Sequence, residues 1–168
     1  MLMPNPGHRF IAVTLMVLAA ATLVHAETPD QLAIKAILNN GCKSWIDGKP
    51  SESVDLYVKD IVVFDIAPPR QKNHDQVVEF NRKLAESTVG RPTCVYEEIH
   101  PVVLTKRYAY SFSILNVAGT LKGGKQFHFR ERSTNVWQKI NGRWRCLHEH
   151  NSVPVDVMTG QADLDSKP

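Results

Sequence analysis

The chain has 168 residues, 43% of them apolar, with 20 Lys and Arg against 17 Asp and Glu and a formal net charge of +3. A charge so nearly balanced, with its basic residues scattered, gives no electrostatic footprint for nucleic acid, and none is expected as a partner. No phosphate-binding Gly-rich loop, nucleophile motif or cofactor fingerprint occurs in the sequence, and no cofactor is expected.

At the N-terminus, Arg9 precedes an uncharged apolar run from Phe10 to Val24, and Val24-His25-Ala26 has the small-x-small pattern read by signal peptidase. This predicts a signal peptide over residues 1–26, cut before Glu27. The run falls short of the ~20 apolar residues that a bilayer core requires, so no membrane association is expected after cleavage. The product would be periplasmic or secreted. Residues 27–154 are expected to form one domain, and residues 155–168, poor in apolar residues, a disordered tail. Cys42, Cys94 and Cys146 form no Cys-x-x-Cys motif. One disulfide with one free thiol, or three small buried hydrophobes, are both open.

Thr28-Pro29-Asp30-Gln31 predicts a helix start, with Thr28 as N-cap, Pro29 in the first helical position and Gln31 completing a capping box. Ile34, Leu38, Cys42 and Trp45 then recur at helical spacing and define a core-facing stripe. Gly48-Lys49-Pro50 ends the helix, and Ser51 can cap a second short helix carrying Val54, Leu56 and Tyr57. Ile61 to Asp65 is a short β-rich run stopped by Pro68-Pro69, and His74 to Glu86 predicts a third helix. Beyond Gly90 the segments Thr93–Leu104, Arg107–Thr120, Lys125–Lys139 and Arg143–Ser152 all predict strands. Helices followed by long adjacent strands argue for an α+β domain with an antiparallel meander.

The last two strands flank Asn141-Gly142, residues that tolerate the positive φ of a two-residue type I′ loop. Counting outward pairs Trp137 with Cys146, Asn135 with His148 and Ser133 with His150. Val136 then pairs with Leu147, Thr134 with Glu149 and Arg132 with Asn151. With a period of two, His148, His150, Asn135 and Ser133 share one face, graded toward Trp137 and Trp144, as a pocket wall would be. Arg132 lies on the other face, close to Glu149, unless a bulge moves it inward as an anion anchor.

The order of helices, short strand ending in Asp, helix and curved sheet is similar to the nuclear transport factor 2-like cone. Leu56-Tyr57-Val58-Lys59-Asp60-Ile61-Val62-Val63-Phe64-Asp65 resembles the ketosteroid isomerase segment that ends in a general-base Asp. Val136-Trp137, Gly142, Trp144, His148, His150, Ser152 and Pro154 resemble the end of SnoaL-like proteins and of the calcium/calmodulin-dependent protein kinase II association domain. The resemblance implies a conical, commonly dimeric domain around an apolar pocket, with Asp65 in the base position. It also implies departures. The isomerase Tyr falls near Gly41 and its carboxylic acid among Thr134 to Val136, so steroid isomerisation in the family's manner is not expected. The arginines of the association domain correspond to Asn135 and Asn151.

The sequence therefore predicts Asp65 and His148 as catalytic candidates and Trp45, Tyr57, Arg132, Asn135 and His150 as ligand contacts. The ligand is expected to be a small, mostly apolar molecule. Two rival readings accompany it: a non-catalytic dimerisation or assembly module, and a metal-assisted hydrolase using His148 and His150. His-x-His supplies only two ligands, so no metal site is assigned. The stripe Tyr108, Tyr110 and Phe112, opposite Leu115 and Val117, predicts a homodimer through one face of the sheet.

Overall fold

A computed structural model of the chain describes residues 26–53 and 55–165. The expected leader falls outside the described residues except for Ala26, and so do Val54 and residues 166–168. Helix α1, Pro29–Ile46, starts as its sequence dictates: the Thr28 hydroxyl accepts from the Gln31 N–H at 3.3 Å, and Gln31 Oε1 accepts from the Thr28 N–H at 2.8 Å. Ile34, Leu38, Cys42 and Trp45 are its buried stripe. Asp30 in its first turn accepts from Lys139 Nζ at 2.5 Å and Trp144 Nε1 at 3.0 Å, which pins the helix start to the C-terminal hairpin. The short α2 spans Pro50–Ser53, and Tyr57 begins strand β1, Tyr57–Phe64, instead of lying on that helix. Helix α3, His74–Ser87, opens with a second capping box, made by Asn73 and Gln76.

Strands β2 (Thr88–Val103), β3 (Tyr108–Leu121), β4 (Gln126–Ile140) and β5 (Arg143–Ser152) form the expected antiparallel meander. Strand β1 joins it beside β5 and runs parallel to it, giving the order β1-β5-β4-β3-β2. Ile34, Leu38, Ile61, Val63, Trp137, Trp144 and Cys146 fill the core between α1 and the sheet. The disulfide Cys42–Cys94 joins α1 to β2, and Cys146 is a buried free thiol whose pKa burial pushes upward. Asn141 at φ +49° and Gly142 at φ +78° make the β4–β5 turn with both central residues left-handed, as a type I′ loop requires.

The register of this hairpin departs from the count made outward from its turn. Trp137 does pair with Cys146, but the next pair is Val136 with His148, so Leu147 is an extra residue on β5. This bulge flips every side chain beyond it. Asn135 faces Glu149 in place of His148, and Ser133 faces Asn151 in place of His150. Residues 155–165, expected to carry no packed structure, fold back: Val155 bridges Ala162, and the Arg130 N–H donates to the Leu164 carbonyl at 2.8 Å.

Candidate functional site

The sheet curves around α1, and α3 lies across the opening, leaving a cavity of about 360 Å³. That lies within the range of small-molecule sites. Leu38 and Trp45 of α1, Phe80 and Leu84 of α3, and Phe127 and Phe129 of β4 supply apolar walls. One end is different. There Asp65, Glu131 and Glu149 all reach the cavity, and among the described residues no Lys, Arg or His belongs to its lining.

Each carboxyl group has its own surroundings. Asp65, just after β1, accepts from Lys72 Nζ at 3.0 Å through one oxygen and from the Ala67 N–H at 3.1 Å through the other. Lys72 is 2% exposed, also donates to the Ala67 carbonyl at 2.7 Å, and lies 4.7 Å from the centre of the Phe80 ring. Asp65 is thus both a turn-capping residue and half of a buried ion pair.

Glu149 is brought inward by the Leu147 bulge. Tyr57 Oη and Asn135 Nδ2 donate to one of its oxygens at 2.9 Å each, and Asn151 Nδ2 to the other at 2.8 Å. Burial raises its pKa, while the Asn151, Tyr57 and Asn135 hydrogen bonds oppose that rise. The Tyr57 hydroxyl, pushed well above its usual pKa by burial and by the Glu149 charge, stays protonated as a donor. Glu131, inward-facing on β4 and 6% exposed, has no hydrogen-bond or ion-pair partner among the described residues. Burial, then repulsion from Glu149 and Asp65, pushes its pKa up to about 8. Both acids are therefore held above the usual carboxylate range, Glu131 with no hydrogen bond to oppose the rise and Glu149 with three donors opposing it.

The polar inner face continues below. Trp137 Nε1 donates to Ser111 Oγ at 2.9 Å, and Ser111 Oγ lies 3.4 Å from Asn135 Oδ1. Ser113 Oγ and Asn151 Oδ1 are buried without partners.

Of the sequence-predicted residues, Asp65, Trp45 and Tyr57 line this cavity, and Asn135 lies buried beneath it as a donor to Glu149. His148, His150 and Arg132 do not join them. The expectation that Asp65 and His148 share a cavity is corrected by the bulge. His148 Nδ1 lies 2.7 Å from the Val62 carbonyl, and Phe64 packs edge-on against both imidazoles, at 5.1 and 5.8 Å. Arg132 is exposed on that same outer face, and its expected Glu149 partner lies on the other. Glu131, Glu149, Asn151 and Tyr96 were missed as cavity residues. Glu131 and Asn135 share a parity on β4, a signal that could have singled out Glu131. The two His residues and Glu149 with Asn151 are equally polar, so nothing in the pattern favoured one set for the interior.

A helix enclosed by a curved sheet, open at one end onto a cavity, defines a cone-shaped α+β domain of the nuclear transport factor 2-like class. A nuclear transport factor 2-like protein of unknown function from Pseudomonas putida has this fold, at a TM-score of 0.72 and 20% identity over 84% of this chain and 99% of that one. So does a putative calcium/calmodulin-dependent protein kinase II association domain from Xanthomonas campestris, with TM-score 0.64, 20% identity, and coverage of 86% and 100%. A ketosteroid isomerase-like protein from Erwinia carotovora atroseptica matches with TM-score 0.62, 16% identity, and coverage of 75% and 97%. The model of the SnoaL-like domain matches residues 34–156, and the chain belongs to that family. No curated protein matches it significantly.

Proposed function

We propose that this SnoaL-like domain binds a small, mostly apolar molecule in its cone, with Asp65 as a general base toward the bound ligand. The observation that carries the reading is the cavity of about 360 Å³, apolar along its walls and acidic at one end. The ion pair with Lys72 and the Ala67 N–H fix the Asp65 carboxyl at the cavity, and the ketosteroid isomerase-like relative is consistent with such chemistry. Leu115→Trp, which fills the cavity, is expected to abolish the melting shift that apolar carbonyl compounds give the wild type. Compounds that do shift the melt should exchange deuterium next to the carbonyl, and Asp65→Asn should stop that exchange. No shift by any apolar compound, with or without Leu115→Trp, would overturn the reading.

Export belongs to the same proposal. The disulfide Cys42–Cys94 supports an oxidising compartment, and N-terminal sequencing of the exported protein should start at Glu27. A second copy of the chain is the partner we propose for the outer face, where Phe64, Tyr108, Phe112 and Val136 are each 37–48% exposed. The likeness to the putative association domain supports the reading as an assembly module to the same degree. Light scattering at micromolar concentration should give twice the chain mass. For metal-assisted hydrolysis the geometry offers no support: among the described residues no three His, Cys, Asp or Glu side chains could hold a metal ion.

A further inference from the structure

Hydrogen-bonding capacity at the acidic end of the cavity is lopsided. The Tyr57 hydroxyl and the amides of Asn135 and Asn151 each give a hydrogen bond to Glu149. Asp65 is served by Lys72 and the Ala67 N–H. What remains without a partner among the described residues is the Glu131 carboxyl, 6% exposed and facing the cavity, which accepts once it is ionised, the buried Oδ1 of Asn151, and the amide of Asn81 on α3. The Tyr96 hydroxyl, on the facing wall, can turn either way. A ligand that brings donors meets Asn151 Oδ1 and an ionised Glu131 as acceptors.

Positive charge on such a ligand fits as well. Among the described residues Glu131 and Glu149 meet no cation in the lining, so an anionic ligand would face like charge in a poorly solvated space. Among the described residues no three His, Cys, Asp or Glu side chains could hold a metal ion, and the apolar walls suit a cation that carries hydrocarbon. Resting on the ligand-site reading above, we propose that the cavity takes an apolar amine, its ammonium seated between Glu131 and Glu149 and its hydrocarbon body against the aromatic walls. Tyr57 and Tyr96 line the cavity beside these acids, and an aromatic ring face is a favourable neighbour for a cation. Binding has a proton balance. The neutral Glu131 carboxylic acid loses its proton to solvent and becomes the carboxylate that faces the ammonium. The titratable groups facing Glu131 are Glu149 from β5, Tyr57 and Asp65 from β1 and the turn after it, and Tyr96 from β2. Helices α1 and α3 present none to the cavity besides the disulfide-bonded Cys42.

The test uses three probes with one apolar body: phenylbutylamine, phenylbutanol and phenylbutyrate, titrated calorimetrically at neutral pH in two buffers of different ionisation enthalpy. The amine is expected to bind about tenfold tighter than the alcohol, the carboxylate not detectably, and the amine's heat to reveal proton release. Glu131→Gln, of the same size, should lower amine affinity about tenfold, abolish proton release and leave the alcohol unchanged. If the alcohol binds as tightly as the amine, or the amine releases no proton, the ammonium site is wrong while the apolar-ligand reading stands. Tightest binding by the carboxylate also overturns it. Binding of none of the three overturns both. Should Glu131→Gln fail to fold, the wild-type comparison of the three probes decides alone.

Discussion

The two faces of strands β4 and β5 are built from alternate residues of the same segments, yet they follow opposite rules. Inside, Asn135, Ser133, Trp137 and Cys146 are almost fully buried, and the polar groups among them are tied to Glu149, to Ser111 and to one another. Outside, Val136 and the neighbouring Phe112 are more than a third exposed, and the imidazoles of His148 and His150 pack against Phe64. A buried polar group without a partner is costly, so the inner face can hold polarity only as a connected network. The outer face pays no such penalty and can mix aromatic with charged side chains. The Glu131 carboxyl and Asn151 Oδ1 stand outside the inner network among the described residues, and both lie at the proposed ligand site.

The comparison breaks first at the ion pair. Asp65→Asn removes the countercharge of Lys72, which is 2% exposed, and should cost about 3–5 kcal/mol in chemical denaturation. Replacing Lys72 with Met as well should recover much of the loss, because the charge disappears together with its partner. A cost under about 1 kcal/mol for Asp65→Asn would mean that the pair is solvated and that the inner face is not the closed network described.

A second effect is a pH dependence of unusual sign. Glu131 holds its proton up to about 8 in the folded protein, against 4.5 for an unperturbed glutamate. Between these values the native state binds more protons than the unfolded chain, so the contribution of Glu131 to stability falls as pH rises through that window and is complete at its acid end. The slope is at most about 1.4 kcal/mol per pH unit. Melts from pH 5 to 7 should show a decline that Glu131→Gln flattens, and an equal slope in the variant would show that the proton resides elsewhere.

The helices and the meander were legible because their signals are local. The α1 stripe, its capping box and the Asn141-Gly142 turn each depend on a few neighbouring residues, and each forms as its chemistry requires. The candidate site was legible only in part. Asp65, Trp45 and Tyr57 reach the cavity, since one precedes a breaker and two sit at the ends of apolar patterns. The sheet side was misread because register is a count, and Leu147 adds one to it. Beyond that bulge, His148-Glu149-His150-Asn151 is polar on both faces and offers no hydrophobic contrast to fix the count. The parallel pairing of β1 with β5 was equally invisible, since it depends on residues 86 to 89 positions apart.

A smaller effect on folding, though a large one on mass, is expected on the outer face. Phe112 is 48% exposed and stacks on His100 at 4.9 Å, so Phe112→Asp removes little buried area from one chain. Its unfolding free energy at dilute concentration should change by about 1 kcal/mol or less. Light scattering should nevertheless shift from the dimer to the monomer mass, since a charge would be placed in the proposed interface. Retention of the dimer would assign association to another surface, such as the exposed Val157 and Met158.

The smallest expected change is at Arg132. It points outward at the β4 position paired with Ser152, away from the cavity, and no hydrogen bond or ion pair among the described residues holds it. Arg132→Ala should alter stability by no more than about 0.5 kcal/mol, the usual range for a surface position without special features. It should also leave the binding of each cavity probe unchanged, whereas the inner Glu131→Gln one position away changes amine binding. Two adjacent residues of one strand would then differ because one is inside and the other outside. Detectable phenylbutyrate binding that Arg132→Ala weakens tenfold would instead place its guanidinium in the cavity and require a bulge in β4 between Arg132 and Asn135.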